Sequence, residues 1–127
     1  MTKTAQIGRS LRRKDAPDKV HGRVRYTDDL AVPGLLYSAL ITSPHAHAAI
    51  VRVDDSAAKA LAGVRGVFTG RDFPGRVGLY LGDKPALAVD RVRYFGEPVA
   101  AVVADDEATA QRAARLVRIS YDPLPVI

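Results

Sequence analysis

"VRYFGEPVAAVVADDEATAQRAARLVRISYDPLP", residues 92–125, decides the fold because it carries three element signals in succession. Val99 to Ala104 is an unbroken apolar run of strand length, the pattern of a strand covered on both faces at the centre of a sheet. Asp105 then offers a capping carboxylate, Asp106 and Glu107 fall in the first helical turn, and Arg112 and Arg115 lie near the last. Each charge matches the sign of the helix dipole at its end. Ala110, Ala113, Ala114 and Val117 fall at i, i+3, i+4 and i+7, a narrow stripe of small residues that lets a helix lie close on a sheet. "VRISY" closes the series as a further strand, ended by Asp122, Pro123 and Pro125. Strand, helix, strand is a βαβ-like unit, so an α/β domain is expected.

Working toward the amino terminus, "VRGVFTG" supplies Val64, Val67 and Phe68 to another strand. Between it and the opening stretch, Gly70, Pro74, Gly75, Gly78, Gly82 and Pro85 suppress regular structure over a long loop, the expected mobile or functional surface. Asp54, Asp55 and Ser56 start a second, short helix that runs through "AAKALAG" to Gly63. Val51 and Val53 alternate with Ile50, Arg52 and Asp54, predicting a strand with one buried face. "LLYSALITS", Leu35 to Ser43, reads as an interior strand and as a partner for it. Residues 1–25 show no sustained period, and Pro17 and Gly22 interrupt any helix, so an extended or looped arm is expected before a single domain over 26–127.

Composition narrows the class of protein. The 127 residues are 47% hydrophobic, enough for one core. No apolar run approaches a membrane span or a secretory signal, so a cytoplasmic location is expected. With no cysteine, there is no disulfide, thiolate zinc site, cysteine-ligated cluster or cysteine nucleophile. The net charge of +5 is concentrated in the arm: residues 1–25 hold eight Lys/Arg and two Asp, and the remainder is nearly neutral. That arm contains no aromatic residue, which argues against nucleic acid and for contact with an acidic neighbouring surface.

No catalytic set emerges from the spacing. His45 and His47, in "SPHAHA", would project to one side of a strand, but a third metal ligand from His21, Asp28, Asp29 or Asp54 is not selected by anything in the pattern. Hydrogen-bonded structural histidines or an interface patch fit better. "GRVGLYLGDK" lacks the phosphate-loop register, since Pro85 follows Lys84 where a hydroxyl residue is needed. Glu97 in "YFGEP" would serve as a general base only if buried for that purpose, and a turn cap or a pair with Arg91 or Arg93 is the ordinary reading. The serines lie in no nucleophile-elbow pattern.

Read in order, the arm ending in "GRVRYTDDL", the "SPHAHA" stretch, "GVRGVFTGRDFPG" and "VRYFGEPVAAVVA" with its alanine-rich helix and "YDPLP" closely resemble one family. It is the amino-terminal segment of the molybdenum-binding large subunit of the xanthine dehydrogenase and aldehyde oxidase group, and the resemblance covers nearly the whole chain. It implies the α/β hammerhead fold, a mixed sheet with two helices and a protruding β motif. It also implies a non-catalytic module with a structural and assembly role in a molybdopterin-dependent hydroxylase that acts on aldehydes or N-heteroaromatic carbons. The family's cofactor-contacting glutamine and catalytic glutamate lie downstream, so no catalytic, cofactor-binding or metal residue maps onto residues 1–127, and Glu97 does not match that glutamate. Molybdopterin, iron–sulfur clusters and FAD are implied in the complete complex. Molybdopterin-binding domains and iron–sulfur and flavin subunits are implied as partners, with self-association of the isolated domain. "VGLYLGDKPALA" occupies the interval that reaches toward the substrate channel in some members, which makes Leu79 and Tyr80 the expected channel-wall residues. A natural split subunit, a fragment and a stand-alone binding or oligomerising domain are the alternatives.

Overall fold

A computed structural model describes residues 8–126, which divide into two compact units over 8–33 and 34–126. The first unit contains a helix, α1 (Ala16–Val20), where the sequence reading expects an extended or looped arm. Pro17 does not prevent it, because it stands in the first turn, where a backbone N–H would have no intrahelical partner. Asp15 bridges Arg13 and Lys19, both at 2.9 Å, and Gly22, at φ +65°, ends the helix. Farther on, Asp29 accepts the Tyr26 amide at 2.8 Å and closes a 3-10 turn over Thr27–Asp29.

The second unit is a small α/β fold built on antiparallel sheets. Its elements are β1 (Tyr37–Thr42), β2 (Ala48–Asp54), α2 (Ser56–Lys59), β3 (Val64–Thr69), β4 (Arg76–Val77), β5 (Lys84–Pro85), β6 (Arg91–Val92), β7 (Pro98–Ala104), α3 (Glu107–Leu116) and β8 (Arg118–Pro123). They form sheets ordered β1-β7-β3, β6-β2-β8 and β4-β5, and every described pairing is antiparallel. β7 is central, as its apolar run requires, with Ala100, Val102 and Ala104 fully buried. β7 and β8 do not form a parallel βαβ unit: both edges of β7 are taken by β1 and β3, so β8 pairs with β2 instead.

β1 is an edge strand and pairs with β7, not with β2. Ala39 and Ile41 face the helices, whereas Leu40 lies on the uncovered face, so the apolar run that reads as doubly buried belongs partly to the surface. Three β-bulges shift the side-chain phase. The extra residue at Val51 turns Val51 and Arg52 outward together and lets Ala48, Ile50 and Val53 all face the core. The irregularity beside Ile41/Thr42 leaves Val99 and Ala100 both buried, and the one after Val64 places Val64 and Val67 on one face.

Packing against the first sheet uses the alanine stripe. Ala110 meets Ala39 and Ala104, while Ala113 and Val117 meet Ala58, Val67 and Val102. Such small contacts bring the α3 backbone close to the strands. The N-cap is Asp106, one residue later than Asp105: its carboxylate accepts the Thr109 amide at 2.8 Å and the Thr109 hydroxyl at 2.7 Å. Asp105 is drawn instead to Arg65 of β3, at 2.6 Å. The long loop is not wholly irregular, since Arg76–Val77 and Lys84–Pro85 pair into a two-residue ribbon.

Candidate functional site

Two places in the second unit carry the motif residues. At the first, "SPHAHA", "YFGEP" and "YDPLP" are tied together by hydrogen bonds. Ser43, buried at the end of β1, donates its N–H to the Glu97 carbonyl and accepts the Gly96 amide, both at 2.9 Å. Its hydroxyl donates to the His45 carbonyl and accepts the His45 amide, both at 3.0 Å, which turns the chain tightly after Thr42. Gly96 takes φ +83°, so the turn before β7 needs glycine there.

The two histidines are divided between partners. His45 meets the Tyr121 ring edge-on, with centroids 5.0 Å apart. His47 Nδ1 lies 2.7 Å from the Pro125 carbonyl and donates to it, while Leu124 N–H donates to the His47 carbonyl at 3.0 Å. Both precede β2, so strand geometry does not place them side by side as ligands. Among the described residues no group of three His, Asp or Glu side chains is placed to hold a metal ion. Burial raises the pKa of Tyr121. Its buried hydroxyl has no well-formed hydrogen bond, although nearby Ser43 pulls the pKa partly back.

Glu97 is only 2% exposed and closes the turn before β7. Its Oε2 accepts the Arg93 amide at 2.5 Å, and Oε1 stands 3.9 Å from the Arg93 guanidinium. Both carboxylate oxygens therefore face the turn it caps. Around this junction Ala46, His47, Arg93, Tyr94, Phe95 and Pro125 border an open recess of about 450 Å³.

The second place is the β4-β5 ribbon. Arg76 donates to the Asp83 carbonyl at 2.9 Å, and Gly78 approaches Gly82 so closely that a Cβ on Gly78 would lie 3.1 Å from the Gly82 nitrogen. Between these glycines Leu79, Tyr80 and Leu81 are 89%, 92% and 83% exposed. The family resemblance singles out Leu79 and Tyr80 and leaves out Leu81, which stands beside them between the same two glycines of "GLYLG". Lys84 Nζ lies 4.9 Å over the Tyr94 ring, and Tyr94 holds its ammonium above the usual lysine range. Phe73 rests 5.8 Å from Phe68, on the face of β3 opposite the helices, a contact that a reading of this stretch as irregular loop does not foresee. Such a surface can make apolar contacts.

Residues 21–125 match the family described as aldehyde oxidase and xanthine dehydrogenase, a/b hammerhead domain. The chain is 41% identical over 117 residues to a probable xanthine dehydrogenase subunit of Bacillus subtilis, covering 91% of this chain and 16% of that one. It is 42% identical over 127 aligned residues to the xanthine dehydrogenase molybdenum-binding subunit of Escherichia coli O157:H7, covering 91% of this chain and 17% of that one. A solved structure of reconstituted CO dehydrogenase from Oligotropha carboxidovorans superposes with a TM-score of 0.86 at 37% identity, over 94% of this chain and 15% of that one. The chain thus spans about a sixth of the length of these relatives. It belongs to the a/b hammerhead domain family of the aldehyde oxidases and xanthine dehydrogenases, which are molybdenum enzymes.

Proposed function

We propose that this chain is an assembly module of a molybdenum hydroxylase, and that its ribbon tip forms part of the substrate entrance. One observation carries the proposal: Leu79, Tyr80 and Leu81 stand exposed in succession at the tip of the ribbon. Isolated exposed apolar residues are ordinary, but three adjacent large ones held between closely approaching glycines form a surface for contact. The uncovered face of β1-β7-β3, with Leu40, Phe68 and Phe73, adds a second apolar surface. In this reading the cofactor-bearing domains or subunit cover both, iron–sulfur and flavin subunits complete a cytoplasmic complex, and the basic residues of the arm over 1–25 lie against an acidic neighbour.

Leu79 and Tyr80 shape the channel wall by size and apolarity and take no part in proton transfer. Bound molybdopterin would supply the redox chemistry, with iron–sulfur clusters and FAD carrying electrons onward. The side chains described above do not fit a metal-binding role: the two histidines of "SPHAHA" are committed to Tyr121 and Pro125, and Glu97 to Arg93. No chemical step is assigned to them.

Isolation of the native complex tests the reading. Molybdenum and iron in fixed ratio to this chain, with oxidation of an aldehyde or N-heterocycle only by the assembled complex, is the expected result. A pure 127-residue chain that oxidises such substrates unaided would overturn it.

A further inference from the structure

We propose that the cleft beside the free edge of β2 is a strand-addition site for a short extended peptide that carries carboxylates. β6 pairs with β2 only at Ala48 and Ala49, and the Ile50 amide then donates to the Asp90 carbonyl at 2.8 Å. Before that point the chain follows another course, with the Ala88 amide bound to the Pro98 carbonyl at 2.8 Å. Arg52, Val53 and Asp54 therefore pair with β8 on one side, while β6 provides no partner for Val51–Asp54 on the other.

That free edge borders a cleft of about 310 Å³, within the range of ligand-sized pockets. Val53, Ala88, Val89 and Val99 give it apolar walls, and Thr69 to Arg71 close it opposite β2. Gly70 packs directly on the chain at Leu87 and Ala88: a Cβ on it would lie 2.6 Å from the Leu87 carbonyl oxygen and 2.7 Å from that of Ala88. Arg52 and Arg71 also line the cleft. Among the described residues no carboxylate lies within ion-pair distance of Arg71, and Arg52 reaches Asp54 only at 3.4 Å on the exposed surface, a weak pairing.

A free strand edge recognises backbone, which a small anion cannot supply. The two guanidiniums select carboxylates, for which their planar donor forks are suited. An extended segment places alternate side chains on alternate faces, so apolar residues can enter the cleft while acidic ones meet the arginines. Backbone pairing sets the alignment and the charges set the preference.

The test is amide-resolved NMR titration of the 127-residue chain with acetyl-Thr-Glu-Val-Glu-Thr-amide. Parallel titrations use the lysine counterpart, the same glutamate peptide N-methylated at its central valine, and hexanoate. The expected result is saturable shifts at Val51–Asp54 and Gly70–Arg71 with the glutamate peptide, and at least tenfold weaker binding of the other three. The R52E/R71E variant, with an unchanged melting temperature, should reverse the preference toward the lysine peptide. Equal binding of both peptides, equal binding of the N-methylated peptide or hexanoate, shifts confined elsewhere, or no shift would each overturn the proposal.

Discussion

β7 and the β4-β5 ribbon invert the usual distribution of apolar size. β7 is buried by small residues: Val99, Ala100, Val102 and Ala104 are at most 1% exposed, and the helix above them contributes Ala110 and Ala113. The ribbon holds leucines and a tyrosine in solvent. The contrast extends through the described residues, where valines and a serine are the largest fully buried side chains, while all three phenylalanines and four of the five tyrosines are exposed. A core of alanine and valine gains its stability through close backbone approach. Large apolar groups outside it gain nothing until another surface covers them.

Breaking the small-residue half of this contrast has the larger effect. Val102→Asp would place an unpartnered carboxylate in the shared core, at a cost on the order of 4 kcal/mol or more, and circular dichroism should show no cooperative melt near the wild-type temperature. Ala113→Leu would force α3 from the sheet and lower the unfolding free energy by about 1–3 kcal/mol in urea titration.

Asp106→Ala removes the α3 cap, with a smaller fall in melting temperature that depends on pH. The Thr109 hydroxyl and then its amide hold the Asp106 carboxyl below the usual aspartate range. Because the folded-state pKa is depressed, the stabilisation is present above the unfolded-state pKa and is lost as pH falls through the folded-state pKa. Wild type and variant should therefore converge in acid, and melts across that range check the sign. Smallest of all, serine at positions 79, 80 and 81 should shift stability by no more than about 0.5 kcal/mol, since these side chains contribute little to the core.

Much of this arrangement is legible in residues 92–125, where one apolar run, one alanine stripe and matched helix charges specify β7 and α3 locally. β1 misleads because Leu40 is as apolar as a core residue and only the absence of a neighbouring layer makes it surface. Bulges are hidden for a related reason: Val51 fits the alternation, and its outward turn depends on pairing with β8. The exchange of Asp105 for Asp106 as cap required Arg65, forty residues away in β3, to draw Asp105 aside. In the site, the family resemblance points to Leu79 and Tyr80 but leaves out Leu81, because the exposure of all three is set by the β4-β5 pairing, and the fate of the histidines depends on Tyr121 and Pro125 arriving from β8 and the segment after it.

Sedimentation velocity across a concentration series tests most directly whether the large exposed residues form a contact surface. The isolated wild-type chain should associate increasingly with concentration, and serine at Leu79, Tyr80 and Leu81 should weaken that association at an unchanged melting temperature. A wild-type chain that stays strictly monomeric at its highest soluble concentration, or association unaffected by the three serines, would contradict the role assigned to the ribbon tip.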